Sequence, residues 1–187
     1  MQDFDPNRRT ALKALGLGLL ASAGPGVAIG KDVMAHKDKI DVSDVYVAHL
    51  ESQADVETDA WGLAVFHHRS GEIVFTLAVS RLENTVMAHI HEDEALGPVA
   101  VWLHDFTTQA EHLIEGSFTG ALNAGVITDD AISEGRAPEA TSTTVAELIG
   151  KIDAGEAFVN VHTEANPGGE ISGRIEPFEW SDVPLRM

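Results

Sequence analysis

The chain has 187 residues, a hydrophobic fraction of 44% and only 6% aromatics, which suits one folded domain plus a short appendage. Thirty Asp and Glu stand against 12 Lys and Arg, a formal net charge of −18, and no basic stripe exists to displace the counterions of a nucleic acid. Cysteine is absent, which excludes disulfides, a thiolate nucleophile and cysteine-bound zinc.

Near the start, Asn7-Arg8-Arg9-Thr10-Ala11-Leu12-Lys13 precedes an uncharged run, 14–30, that contains Gly16, Gly18, Gly24, Pro25 and Gly26. An arginine pair before a weakly apolar, Gly/Ala-rich stretch resembles a twin-arginine (Tat) export signal. The run is too short and broken for a good membrane-spanning helix. Residues 1–30 are thus expected to be a signal peptide that takes the chain outside the cell or to its surface, and the polar segment 31–44 a linker.

Beyond residue 30 the balance is 28 acids against 9 bases, a net charge of −19. In dilute buffer such a chain repels itself, whereas in molar salt the Debye length shrinks to roughly 3 Å and the penalty fades. The acids are spread along the chain, as in Asp55, Glu57, Asp59 and Glu92, Asp93, Glu94. That spread fits the solvated surface of a halophile's protein better than a patch for one cationic partner.

From Val45 the chain reads as short alternating runs between turn residues, the pattern of an antiparallel sandwich or barrel. Strands are expected at 45–50, 61–67, 72–79, 86–91, 99–104 and about 113–118. Ser70-Gly71 turns the second into the third as a hairpin. One short helix is expected at 145–154, where Thr144 and Glu147 form a capping-box pattern and Gly155 supplies a stop. Asp129, Asp130 and Glu134 read as a solvated acidic loop, since they lack the ligand spacing of a calcium loop. Strands at 157–163 and 170–175 close the domain, joined by Asn166-Pro167-Gly168-Gly169.

Three blocks carry a family resemblance: Glu51 to Phe66; Ala88-His89-Ile90-His91 followed by Gly97-Pro98-Val99; and Gly155 to Thr163 followed by Asn166-Pro167-Gly168-Gly169-Glu170-Ile171. Together they resemble the CHRD (chordin-type) domain over 45–177, leaving 178–187 as a tail. The chain departs from the family pattern at Ser172-Gly173-Arg174 and at the acidic Glu92-Asp93-Glu94. The resemblance implies an all-β, Greek-key-like fold similar in style to superoxide dismutase. It also implies an extracytoplasmic setting: animal members sit in secreted antagonists of growth factors, and microbial ones are typically exported.

Period-2 alternation puts His89 and His91 on one face of their strand, opposite Ala88 and Ile90. Likewise Asn160 and His162 share a face, as do Glu170, Ser172 and Arg174. If the last two strands pair, Asn160, His162 and Glu170 come together. Two readings follow. The first is a buried hydrogen-bond network of His, Asn and Glu that fixes strand register with no ion. The second is a copper or zinc site built from His89, His91 and His162. Dismutase chemistry is not expected, because no cysteine pair, no zinc loop and no clear fourth copper ligand accompany the histidines.

His67, His68, His104 and His112 read as surface or loop histidines, while His36 and His49 carry no argument. No nucleophile elbow, phosphate-cradling loop or His-Glu-x-x-His motif is present. The expectation is therefore a non-catalytic binding or structural module whose partner is an extracytoplasmic protein or envelope component, with a copper or zinc protein as the alternative.

Overall fold

In strand β3, Glu72–Glu92, Ile73, Phe75, Leu77 and Val79 are buried while Val74, Thr76 and Ala78 between them are only partly so. This alternation packs one face of the strand into the core. A computed structural model describes residues 44–104 and 114–179. The segment 1–30 expected to be a signal peptide, nearly all of the expected linker, His36, His112 and the tail beyond Glu179 lie outside the described residues.

The elements before β3 are β1 (Val45–Ser52) and β2 (Trp61–Arg69). Those after it are β4 (Val99–His104), β5 (Ile114–Ile127), α1 (Asp129–Gly135), α2 (Val145–Asp153), β6 (Ala157–Thr163), β7 (Ile171–Arg174) and β8 (Glu176–Pro177). All strand pairings are antiparallel. Their order runs β2-β1-β7-β6-β3-β4, and β3 also pairs with β2. Five strands thus close a ring around an apolar interior that includes Leu50, Phe66, Leu77, Ile90, Val159 and Ile171. Among the described residues, no helix is long and apolar enough to cross a membrane.

Ring closure explains one departure from the sequence reading. The expected strands at 72–79 and 86–91 are a single strand of 21 residues. Its first half pairs with β2 and β5, and its second half with β6 and β4. Between the halves Arg81 (φ 61°) and Asn84 (φ 50°) adopt left-handed backbone, and the register with β5 shifts there. Such bulges bend a strand without ending it.

The helices depart too. A second helix, α1, stands where an acidic loop was expected. Thr128 caps it by accepting from the Ala131 N–H at 3.2 Å, Asp129 and Asp130 lie in its first turn, and the Asp129 carboxylate accepts from the Val145 N–H at 2.7 Å. Acids at a helix start interact favourably with its dipole. Ile132 is its single fully buried side chain, so no apolar periodicity announced it. The expected α2 forms, with Thr144 accepting from the Glu147 N–H at 3.2 Å. Glu147, however, reaches back to the N–H and hydroxyl of Thr143, both at 2.7 Å.

The two turns read from the sequence form as expected. Ser70 (φ 51°) and Gly71 (φ 81°) are both left-handed, as a two-residue hairpin with right-twisted strands requires. At the second turn Gly169 has φ 114°, and an added Cβ would collide with the side-chain amides of Gln53 and Asn160. Asn160 is fully buried and cannot retreat. Gly169→Ala is expected to destabilise the domain by at least about 2 kcal/mol, while Gly168→Ala, where nothing lies within 4 Å of the new carbon, should change it by less than about 0.5 kcal/mol. Urea unfolding of the two variants checks this contrast, and equal midpoints would contradict it.

Candidate functional site

From Met87 to Glu92 strand β3 pairs one-to-one with β6, with Met87 opposite His162, His89 opposite Asn160 and His91 opposite Phe158. Ala88 and Ile90 belong to the apolar core, so alternation turns His89 and His91 to the other face, where His162 and Asn160 also stand. Loops close over that face, because His89, His91 and His162 are only 4%, 7% and 5% exposed. The ring centroids of His89 lie 4.8 Å from His162 and 5.5 Å from His91, and those of His91 and His162 lie 6.1 Å apart. One ring nitrogen from each comes within 4.8 Å of the other two.

Two backbone carbonyls orient these rings. His91 Nδ1 is 2.6 Å from the oxygen of Gly97, and His162 Nδ1 is 3.0 Å from that of Pro167. A carbonyl oxygen only accepts, so each Nδ1 carries a proton and donates it. Burial pushes the pKa of both rings below 6.5, opposed by those carbonyl hydrogen bonds; for His162 the nearby His91 lowers it further. Both imidazoles are therefore neutral at pH 7, and each Nε2 holds a bare lone pair. Neither Nε2 meets a hydrogen-bond partner among the described residues. A buried polar atom left so costs about 1–3 kcal/mol. His89 stands edge-on to Trp102, its neighbour on β4, with centroids 4.2 Å apart.

The other residues singled out from the sequence divide. Asn160 accepts from the Gln53 amide at 2.7 Å and donates to the Gly168 carbonyl at 3.4 Å. Glu170 accepts from Thr58 at 2.6 Å, Thr163 at 2.7 Å and Asn166 at 3.0 Å. Asn160, His162 and Glu170 thus converge as expected, each gripping the 166–168 turn. Arg174 instead lies over the Phe158 ring at 5.3 Å.

Two further residues differ from the sequence expectation. His104, expected at the surface, is 4% exposed at the end of β4. Glu92, read as part of an acidic stretch, is fully buried. Its carboxylate accepts from the Thr141 N–H and from the Ser142 N–H and hydroxyl, at 3.1 and 2.6 Å for Ser142. Burial raises its pKa, but these donors outweigh it and leave the carboxyl below its ordinary range. One signal was available: Glu92 continues the core-facing series of Ala88 and Ile90, and Thr141-Ser142-Thr143-Thr144 offers the donors.

Fold and cluster together define an antiparallel β-barrel module with grouped imidazoles on the sheet face turned away from its apolar core. The chain belongs to the CHRD domain family, whose model matches residues 46–175, a span that contains all three histidines. No curated protein and no solved structure matches it.

The lowered pKa values have a definite sign in stability. Below about pH 6.5 the unfolded chain protonates these histidines while the folded domain resists, so stability falls as pH falls. The metal-free domain is expected to lose up to about 1.4 kcal/mol per pH unit per histidine below that point. Glu92 adds its own loss only below about pH 4.5. His162→Gln should flatten the slope between pH 6.5 and 5.5 in urea titrations. A wild-type stability unchanged across that interval would contradict neutral buried imidazoles.

Proposed function

We propose that this chain is an exported, non-catalytic CHRD module that holds one transition-metal ion, copper or zinc, between His89, His91 and His162. The observation that carries the reading is the pair of enclosed, proton-free Nε2 atoms on His91 and His162, oriented by hydrogen bonds at Nδ1. Metal-binding histidines characteristically donate the other ring nitrogen to a carbonyl or carboxylate, which sets the tautomer and raises basicity. A hydrogen-bond network without an ion would instead give those lone pairs donors. Ligand nitrogens about 2.0–2.1 Å from one ion sit roughly 3.4 Å apart. The nitrogens here lie within 4.8 Å, so modest rotations of the rings close the gap.

The rest of the reading draws on the sequence. The twin-arginine leader and family membership support an extracytoplasmic place, the dispersed −19 charge beyond residue 30 supports a salt-rich medium, and the missing catalytic motifs support a module without turnover. Its partner in that reading is a protein or component of the cell envelope.

Metal should stabilise the native state by RT ln(1 + [L]/Kd), about 2.7 kcal/mol at a hundredfold excess over Kd. Wild type and His49→Ala, which alters an exposed histidine on β1, should show this gain with Zn²⁺ or Cu²⁺ in thermal melts. His89→Ala and His162→Ala should lose most of it. An equal, small response in all four proteins would return the cluster to a purely structural role.

A further inference from the structure

The face that carries the imidazoles carries one more donor. Met87 precedes His89 and His91 at the same two-residue spacing, and the pairing with β6 is unbroken from Met87 onward. It therefore shares their face and stands directly opposite His162, where cross-strand Cβ atoms lie about 4.5–5.5 Å apart. Met87 is the one methionine among the described residues. It belongs neither to the core cluster nor to the partly buried side chains packed on that cluster. Apolar packing thus gives no account of a flexible thioether at the edge of three buried imidazoles.

The charges around the site point the same way. No carboxylate joins the histidines as a candidate ligand among the described residues. The two buried acids, Glu92 and Glu170, are occupied by hydroxyl, amide and backbone donors, and the chain has no cysteine. Every donor on offer is neutral, so the ion's charge stays uncompensated in a buried place. Born solvation scales with the square of charge, so a monovalent ion suffers about a quarter of a divalent ion's penalty. A neutral thioether is a soft ligand, well matched to the soft, monovalent copper(I) ion.

We propose that Met87 supplies its sulfur as a fourth ligand beside His89, His91 and His162, and that the site is built for copper(I). This rests on the metal-binding reading above and specifies its metal. Met87 is only partly buried, unlike the three histidines, so an entering ion would reach its end of the cluster first.

The test uses the full chain and Met87→Leu, a swap that nearly conserves volume. Both are titrated anaerobically with copper(I) against a chromophoric cuprous chelator, and separately with zinc(II). Met87→Leu should weaken copper(I) binding at least about tenfold, since even outer-shell contacts are worth 10–100-fold, and leave zinc affinity within about twofold. X-ray absorption at the copper edge should find one sulfur neighbour in wild type and none in the variant. Selenomethionine substitution, which needs no mutation, should replace it with selenium. Equal copper(I) affinity with an all-nitrogen shell, or equal weakening for both metals, would overturn the role of Met87 and leave the histidine site standing. Failure of wild type to bind either metal would overturn both.

Discussion

The whole arrangement depends on strand β3 being buried on both faces over its last five residues. Ala88 and Ile90 fill the apolar interior, while His89 and His91 are shut beneath loops on the opposite face and Glu92 is fixed by the 141–142 backbone. Polar groups tolerate such enclosure only when each finds a partner. Glu92 finds three donors. His91 and His162 find one partner each at Nδ1, the carbonyls of Gly97 and Pro167. Those carbonyls come from two different loops, so ring orientation and loop closure are one event.

Two kinds of buried polar cluster stand side by side in this sheet. Around Glu170 and Asn160 the bonds run to completion and hold the 163–169 turn. Around His91 and His162 they stop halfway, with one ring nitrogen satisfied and the other left bare. A fold that needed only rigidity would gain from finishing the second set, as it finished the first. The proposed metal site rests on that unfinished set, and the CHRD fold supplies the frame rather than the chemistry.

Much of this was legible in the sequence wherever it is encoded locally. Turn chemistry marked Ser70-Gly71 and Asn166 to Gly169, and a capping pattern marked Thr144 with Glu147. Alternation alone put His89 and His91 on one face. What stayed hidden was set by contacts distant in the chain. The bend at Arg81 and Asn84 lets β3 serve two sets of partners, yet in sequence it looks like a strand break. Helix α1 buries one side chain, too few to show a period. Glu92 is held by donors from Thr141 and Ser142, about fifty residues on in the chain, so the alternation that hints at its burial does not name its partners, and no local pattern marks His104 as buried. Nothing local distinguishes Met87, whose place depends on facing His162 across the sheet.

In the metal-free protein His91 and His162 should present proton-free Nε2 atoms. Long-range ¹H–¹⁵N correlation spectra of the imidazoles in the metal-free protein at pH 7 read this directly. Both rings should appear as neutral tautomers protonated at Nδ1, and the Nε2 resonances of His89, His91 and His162 should shift together with one equivalent of metal. Imidazolium signals, or tautomers protonated at Nε2 for His91 and His162, would contradict the account.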